Sequence, residues 1–231
     1  MGTRPAPRTT RTPKLVPPAL SGILASMVQL NFYVDIDDVL SETTRALALL
    51  AQTRFGKAVT FENMRVFDLS VSLGLNAEEL PAFMAAAHAP DFLLGLEPMP
   101  GAAEALTDWQ SDGARISVVT GRPPESREAT LRWLEERGIP FDDLEFVDKY
   151  RRFNDPSALT PGDLLTRDYD AVIEDADSMA DYLVLHTDAR VLLYDRPWNQ
   201  DSIAEAHGAQ RVRGWAEIRR SMATVRGSPT A

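Results

Sequence analysis

The stretch "NFYVDIDDVL", residues 31–40, is an apolar run that ends in three carboxylates within four positions, Asp35, Asp37 and Asp38. Charges held that close repel one another, and without a cation at least one carboxyl would have to stay protonated. A hard divalent ion removes the conflict. Mg2+ takes oxygen ligands, keeps several waters, and is typically held by one or two carboxylates together with a substrate phosphate. Three later segments supply complementary groups: "SVVTGRP" carries Thr120 and Gly121, "FVDKY" carries Lys149, and "VIEDAD" carries Glu174 and Asp175. Singly, each has an ordinary reading, since Asp caps helices, Thr-Gly makes turns, and lysine is usually solvated. Together they are suited to a metal and a phosphoryl group. Of the three lysines, Lys14, Lys57 and Lys149, only the last is placed to reach the acids.

These groups need a frame that brings them to one place. Strand-like apolar runs occur at 32–36, 116–119, 144–147, 171–173 and 191–194, with helical segments between them. That alternation predicts an α/β fold, a mainly parallel sheet with helices on both faces. Ligands of such sheets gather at the carboxyl ends of the strands, where all the groups above would lie. In the helical segment after Pro124, Glu128 stands four residues before Arg132, a spacing for an ion pair, and Gly138 with Pro140 stops the helix.

The gap between the first strand and the one at 116 exceeds any single crossover helix. It predicts a small helical cap inserted over 41–98. Ser41 is its expected first N-cap, Gly56 the stop of its first helix, and Leu80, Phe83, Met84 and Ala87 recur at helical spacing. Pro98, Pro100 and Gly101 mark the return to a core domain made of 31–40 and 99–222. A lid of this kind excludes water and carries specificity, so substrate contacts are expected from Phe61 or Phe67 in the insert or from Arg122. The segment "DRPWN", with Trp198, is expected to pack and cap the last strand.

Composition narrows the function classes. The 231 residues carry a formal net charge of −10, which argues against a general duplex nucleic-acid binder. Charge is unevenly spread: the first 34 residues, with Arg4, Arg8, Arg11 and Lys14, sum to +4 and the remainder to −14. Residues 1–30 therefore read as a disordered basic leader, with organelle targeting the alternative, and 223–231 as a loose tail. There is no cysteine, hence no disulfide or thiolate metal site. No apolar run reaches the length of a membrane span, and a cytoplasmic location is expected. Oligomeric state is not legible.

In order and spacing, "DIDDV", "SVVTGRP", "VDKY" and "VIEDAD" resemble the motifs of the haloacid dehalogenase superfamily, over residues 31 to about 215. The segments "PMPGAAEAL", "TLRWL" and "LLYDRPWN" look most like its 5'(3')-deoxyribonucleotidase group and bacterial relatives. The resemblance implies a Rossmann-like fold with a helical cap inserted after the first motif, and a Mg2+-dependent phosphatase in which Asp35 attacks phosphorus and Asp37 acts as general acid and base. It also implies that the Asp35 carboxylate, the Asp37 carbonyl and the Asp175 carboxylate hold the ion, and that Thr120, Gly121 and Lys149 hold the phosphoryl oxygens. Lys149 comes early relative to Glu174, so Arg151 or Arg152 could share its task, and Glu174 could stand behind the metal ligands. Asp38 and Asp177 read as turn or capping residues. The implied substrate is a small phosphorylated metabolite, a nucleoside monophosphate preferred. A dehalogenase would not need Asp37, and a receiver domain lacks the large insert. A phospholigand-binding protein of the same fold, without catalysis, remains the alternative outside the enzymes.

Overall fold

The structure is a computed structural model that describes residues 29–152 and 155–223. The leader and the tail therefore lie almost wholly outside the described residues.

Six strands form one parallel sheet: β1 (Asn31–Asp35), β2 (Arg115–Thr120), β3 (Asp143–Phe146), β4 (Ala171–Glu174), β5 (Arg190–Tyr194) and β6 (Gln210–Val212), in the order β3-β2-β1-β4-β5-β6. β1 lies centrally, with Val34 level with Val118 of β2 and Ile173 of β4. Side chains alternate across the pleat, so each strand feeds two cores. On one face Phe32, Val34, Ile116, Val118 and Ile173 pack with Trp109, Trp133 and Trp215. These indoles come from helices α5 (Ala102–Ser111), α6 (Arg127–Glu136) and α10 (Trp215–Ala223). On the other face Tyr33, Val119, Val172 and Leu193 pack with Met179, Ala180 and Leu183 of α8 (Asp177–His186). Burial on both faces explains why the strands read as nearly unbroken apolar runs. Five strands match the expected runs. The sixth, β6, is only three residues long and carries Arg211 in its middle, too short and polar for a periodicity signal.

Between β1 and β2 the chain forms α1 (Thr43–Phe55), a 3₁₀ turn at Phe61–Asn63, α2 (Leu69–Leu73), α3 (Glu79–Ala87) and α4 (Pro90–Leu94), before α5. Leu47, Ala51, Met64, Leu73 and Phe83 make a third, smaller core of their own. The outgoing and returning chains run side by side: the Glu42 amide donates to the Glu97 carbonyl at 2.8 Å, and the Met99 amide to the Leu40 carbonyl at 2.7 Å.

Two local expectations change. Ser41 does not cap α1; it is fully buried, and its hydroxyl engages the Ile36 carbonyl and Thr43 instead. Asp38 does the capping from outside the helix, accepting from the Thr44 amide at 3.1 Å. Arg132 pairs with Glu136, at 2.9 Å, rather than with Glu128. Both choices lie on the same exposed helix face, where sequence spacing alone cannot select between them. The stops hold: Gly56 and Gly138 sit at φ 65° and 62°, a region costly for residues with a Cβ. Among the described residues no helix is long and apolar enough to cross a membrane.

Candidate active site

The carboxyl ends of β1, β2 and β4 converge with the loop after β3. Asp35 closes β1, and its carboxylate accepts from Lys149 Nζ at 2.7 Å; the same ammonium donates to Glu174 Oε2 at 2.8 Å. All three side chains are withdrawn from solvent, with relative exposures of 6%, 1% and 0%. Tyr33, one turn of the pleat before Asp35, donates its hydroxyl to Glu174 at 2.6 Å. Glu174 also accepts from the Ala176 amide at 3.3 Å, so its lone pairs are well used. Asp175 lies beside it, and one oxygen from each of Asp35, Glu174 and Asp175 can be chosen so that all lie within 4.8 Å of one another.

One lysine faces three buried carboxylates here. Burial pushes both Asp35 and Asp175 well above the usual carboxylate range; the charge of Glu174 adds to each, and Lys149 opposes it. Burial works against the Lys149 charge, but Asp35 and Glu174 outweigh it and hold the ammonium well above its ordinary value. The donor set is all oxygen, clustered and under-neutralised, so the residues fit a hard divalent cation. Asp35 and Asp175 have oxygens to offer it, while Glu174 is committed to Tyr33 and Lys149.

Asp37, two residues after Asp35, has a different setting. Burial would raise its carboxyl, yet Arg122 overrides this and holds it below the ordinary range. The Arg122 guanidinium meets Asp37 through Nη2 at 2.7 Å and Nε at 3.1 Å, and its Nη1 reaches Thr130 at 3.3 Å. Thr43 donates to the same carboxylate at 2.6 Å. Between these acids and the first helix the chain turns sharply at Asp38, φ 61°, a left-handed conformation that Asp tolerates better than most residues. Burial raises the Asp38 carboxyl to about 6 despite its bonds from Thr44. Its carbonyl accepts from Arg196.

The predicted site residues are distributed as follows. Asp35, Asp37, Gly121, Lys149 and Asp175 all line one cavity of about 510 Å³, and Phe67 and Arg122 line it too. Gly121 has no room for more: a Cβ would stand 3.2 Å from the Tyr150 ring and 3.4 Å from Lys149. Thr120 is fully buried and does not line the cavity; its hydroxyl accepts from the Arg122 amide at 3.2 Å. Arg122 is itself 97% withdrawn from solvent, at 3% exposure, with its guanidinium engaged by Asp37 and Thr130. Of the two alternative cations, Arg152 lines the cavity and Arg151 does not. Asp177 opens α8 and accepts from Ser202, a structural task. Sequence reasoning missed Tyr33, whose strand position pointed only to core, and the reach of Trp198 to Asp175, at 3.0 Å. The available signal for Trp198 was its place just after the fifth strand, on the same sheet edge.

Across the cavity stand Phe67, Leu69, Leu80, Met84 and His88 from the segment between β1 and β2. Phe67 meets Tyr150 with ring centroids 5.2 Å apart. The volume is in the range of small-molecule sites, with one polar wall and one apolar wall.

Comparison with known proteins bears on the fold and the family. A haloacid dehalogenase family hydrolase from Deinococcus radiodurans R1, solved with bound phosphate and sodium, superposes with a TM-score of 0.59 at 17% identity, over 88% of this chain and 98% of that one. A conserved haloacid dehalogenase-like protein from Agrobacterium tumefaciens superposes at 0.62 with 13% identity, over 87% and 100%. The fold is therefore the α/β fold of the haloacid dehalogenase-like proteins. More narrowly, the family model described as "5' nucleotidase, deoxy (Pyrimidine), cytosolic type C protein" matches residues 28–227, and the chain belongs to that family. A curated relative, "Putative nucleotidase BH1399" of Halalkalibacterium halodurans, is 25% identical over 191 residues, 83% of this chain and 91% of the relative. The chain is thus an enzyme of the phosphatase and nucleotidase class.

Proposed function

We propose that this enzyme is a Mg2+-dependent phosphomonoester hydrolase that works through an aspartyl-phosphate on Asp35, with nucleoside monophosphates as its substrates. The observation that carries this reading is the meeting of Asp35, Lys149 and Asp175 at the floor of a cavity whose opposite wall is apolar. A phosphate fits the floor and a flat base fits the wall.

Asp35 Oδ attacks phosphorus, forming one P–O bond as the ester P–O bond breaks; this divides a difficult displacement into two easier ones. Asp37 gives a proton to the departing oxygen, then takes one from the water that attacks the acyl phosphate and frees Asp35. For the first step Asp37 must hold a proton, and its bond to Arg122 opposes that. Substrate phosphate entering beside Arg122 would compete for the guanidinium and release the carboxyl. Lys149 and the Gly121 amide would neutralise and orient phosphoryl oxygens, with Thr120 supporting that loop from below rather than touching substrate. Asp35, the Asp37 carbonyl and Asp175 would hold a divalent ion, which when bound would supply neutralisation of the charge on nucleophile and phosphate. The segment 41–98 would act as a cap: its two connections run side by side at Glu42 and Glu97, a natural place for it to swing over the site.

The test is phosphate release from nucleoside monophosphates, sugar phosphates and an aryl phosphate, with Mg2+ and with chelator. Turnover should vanish on chelation and return with Mg2+, nucleotides should be preferred, and Asp35→Asn should lose about 10⁴-fold or more. Undiminished turnover in that variant overturns the nucleophile. A preference for sugar phosphates overturns the substrate class.

A further inference from the structure

We infer that Trp198 is a positioning residue for the metal-binding carboxylate of Asp175, and that its ring ties that carboxylate to the segment covering the site. This rests on the reading of Asp175 as a metal ligand.

The segment after β5 reaches both acidic loops at once. Trp198 Nε1 donates to Asp175 Oδ2 at 3.0 Å, and Asn199 Nδ2 donates to the Asp175 carbonyl at 2.9 Å and to the Tyr194 carbonyl at 2.8 Å. Arg196 donates to the Asp38 carbonyl at 2.9 Å, on the loop that carries the other acids. Asn199 is 1% exposed and is itself held by Arg211, whose Nη1 donates to its side chain and Nη2 to its carbonyl, both at 2.8 Å. The indole is thus mounted on a fixed loop.

A carboxylate ligand has two oxygens and a freely turning χ2. With Oδ2 bound to the indole N–H, Oδ1 is the oxygen left to meet an ion. Indole is suited to this task because it donates and never accepts, so it can only orient an ionised or acceptor-facing carboxylate. Partners of this kind fix ligand geometry, and their loss typically weakens metal affinity about 10- to 100-fold.

The other side of the ring faces the covering segment. Phe61 meets Trp198 edge-on, with centroids 5.8 Å apart at 80°, and Arg45 lies over Phe61 at 4.3 Å. Trp198 packs against the small core of that segment as well. One residue therefore contacts a metal ligand through its N–H and the cap through its ring, so a shift of the cap moves the ligand's partner.

The experiment is calorimetric titration of the intact protein with Mn2+ and Mg2+, without substrate. Trp198→Phe keeps an aromatic ring against Phe61 and removes the donor; its metal affinity should fall about tenfold or more. Its melting temperature should stay near that of the parent. Asp175→Asn should abolish measurable binding. Unchanged affinity in Trp198→Phe, with binding lost in Asp175→Asn, overturns the role of Trp198 alone. Unchanged affinity in Asp175→Asn overturns the reading of Asp175 as a ligand. Should Trp198→Phe fail to fold, the indole N–H resonances of the parent protein decide the matter. The sequence has four tryptophans. The Trp198 signal should move on addition of Mg2+, and four unmoved signals overturn the inference.

Discussion

The two walls of the cavity are built on opposite plans. On the sheet side every functional side chain is cross-linked to another from a distant stretch of chain: Asp35 to Lys149, Lys149 to Glu174, Asp37 to Arg122, Asp175 to Trp198. On the side of the segment between β1 and β2 the lining is mainly apolar, with Asp68, Ser70 and His88 among it, and Phe67 is 43% exposed and meets Tyr150 of the sheet side. Fixed charge needs enclosure, because a carboxylate or ammonium moved by an ångström in a low-dielectric site changes its energy strongly. Apolar recognition does not, since contact area is forgiving of small displacements. On the proposed function, the arrangement would separate chemistry, held by the sheet, from selection, left to the opposite wall.

That contrast can be tested by breaking each wall in turn. After loss of the nucleophile itself, the largest effect is expected from Lys149→Met, which leaves Asp35 and Glu174 without their shared cation. Turnover of every substrate should fall together, by about 10²- to 10³-fold, as for loss of one charge-stabilising donor. A selective loss for nucleotides would mean that the two walls are not separable.

A smaller and different effect is expected from Phe67→Ala. Nucleotide KM should rise about tenfold while aryl phosphate turnover stays near the parent value, the scale of a lost apolar contact in a pocket. Equal losses on both substrates would place Phe67 in the chemistry instead.

The smallest effect concerns His88, which stands where the walls meet. Burial lowers its proton affinity, and Arg122 and Arg152 lower it further against the pull of Asp37. The unfolded chain then binds the proton more tightly than the folded one, so this group's contribution to stability rises as pH passes up through the ordinary histidine range. His88→Gln should flatten that rise in thermal melts between about pH 5 and 7. An unchanged slope would assign the pH dependence to the carboxylates of the sheet wall.

Much of this was legible in the chain. Apolar runs ending in Asp35, Thr120 and Glu174 declared strands and the edge on which their acids would gather, because in parallel α/β sheets the loops after the strands share one edge. The long interval before residue 116 declared an inserted segment. What stayed hidden were partners. Arg122, expected as a substrate contact, does line the cavity, but its partners Asp37 and Thr130 were not announced by any spacing. Thr120 is expected to hold phosphate; that its hydroxyl also accepts from the Arg122 amide was not legible. Trp198 looked like a cap for the last strand; Asn199 does that work at the Tyr194 carbonyl, and Trp198 faces Asp175.

Periodicity and local spacing therefore determined the strands, the sheet edge and the set of chemical groups, since these depend on hydrogen bonding and burial along the chain. Tertiary structure alone decided which cation meets which carboxylate. Lys149 lies 114 residues from Asp35 and Arg122 lies 85 from Asp37, and such pairings follow from how β2 and the loop after β3 flank β1 in space, which no spacing rule encodes.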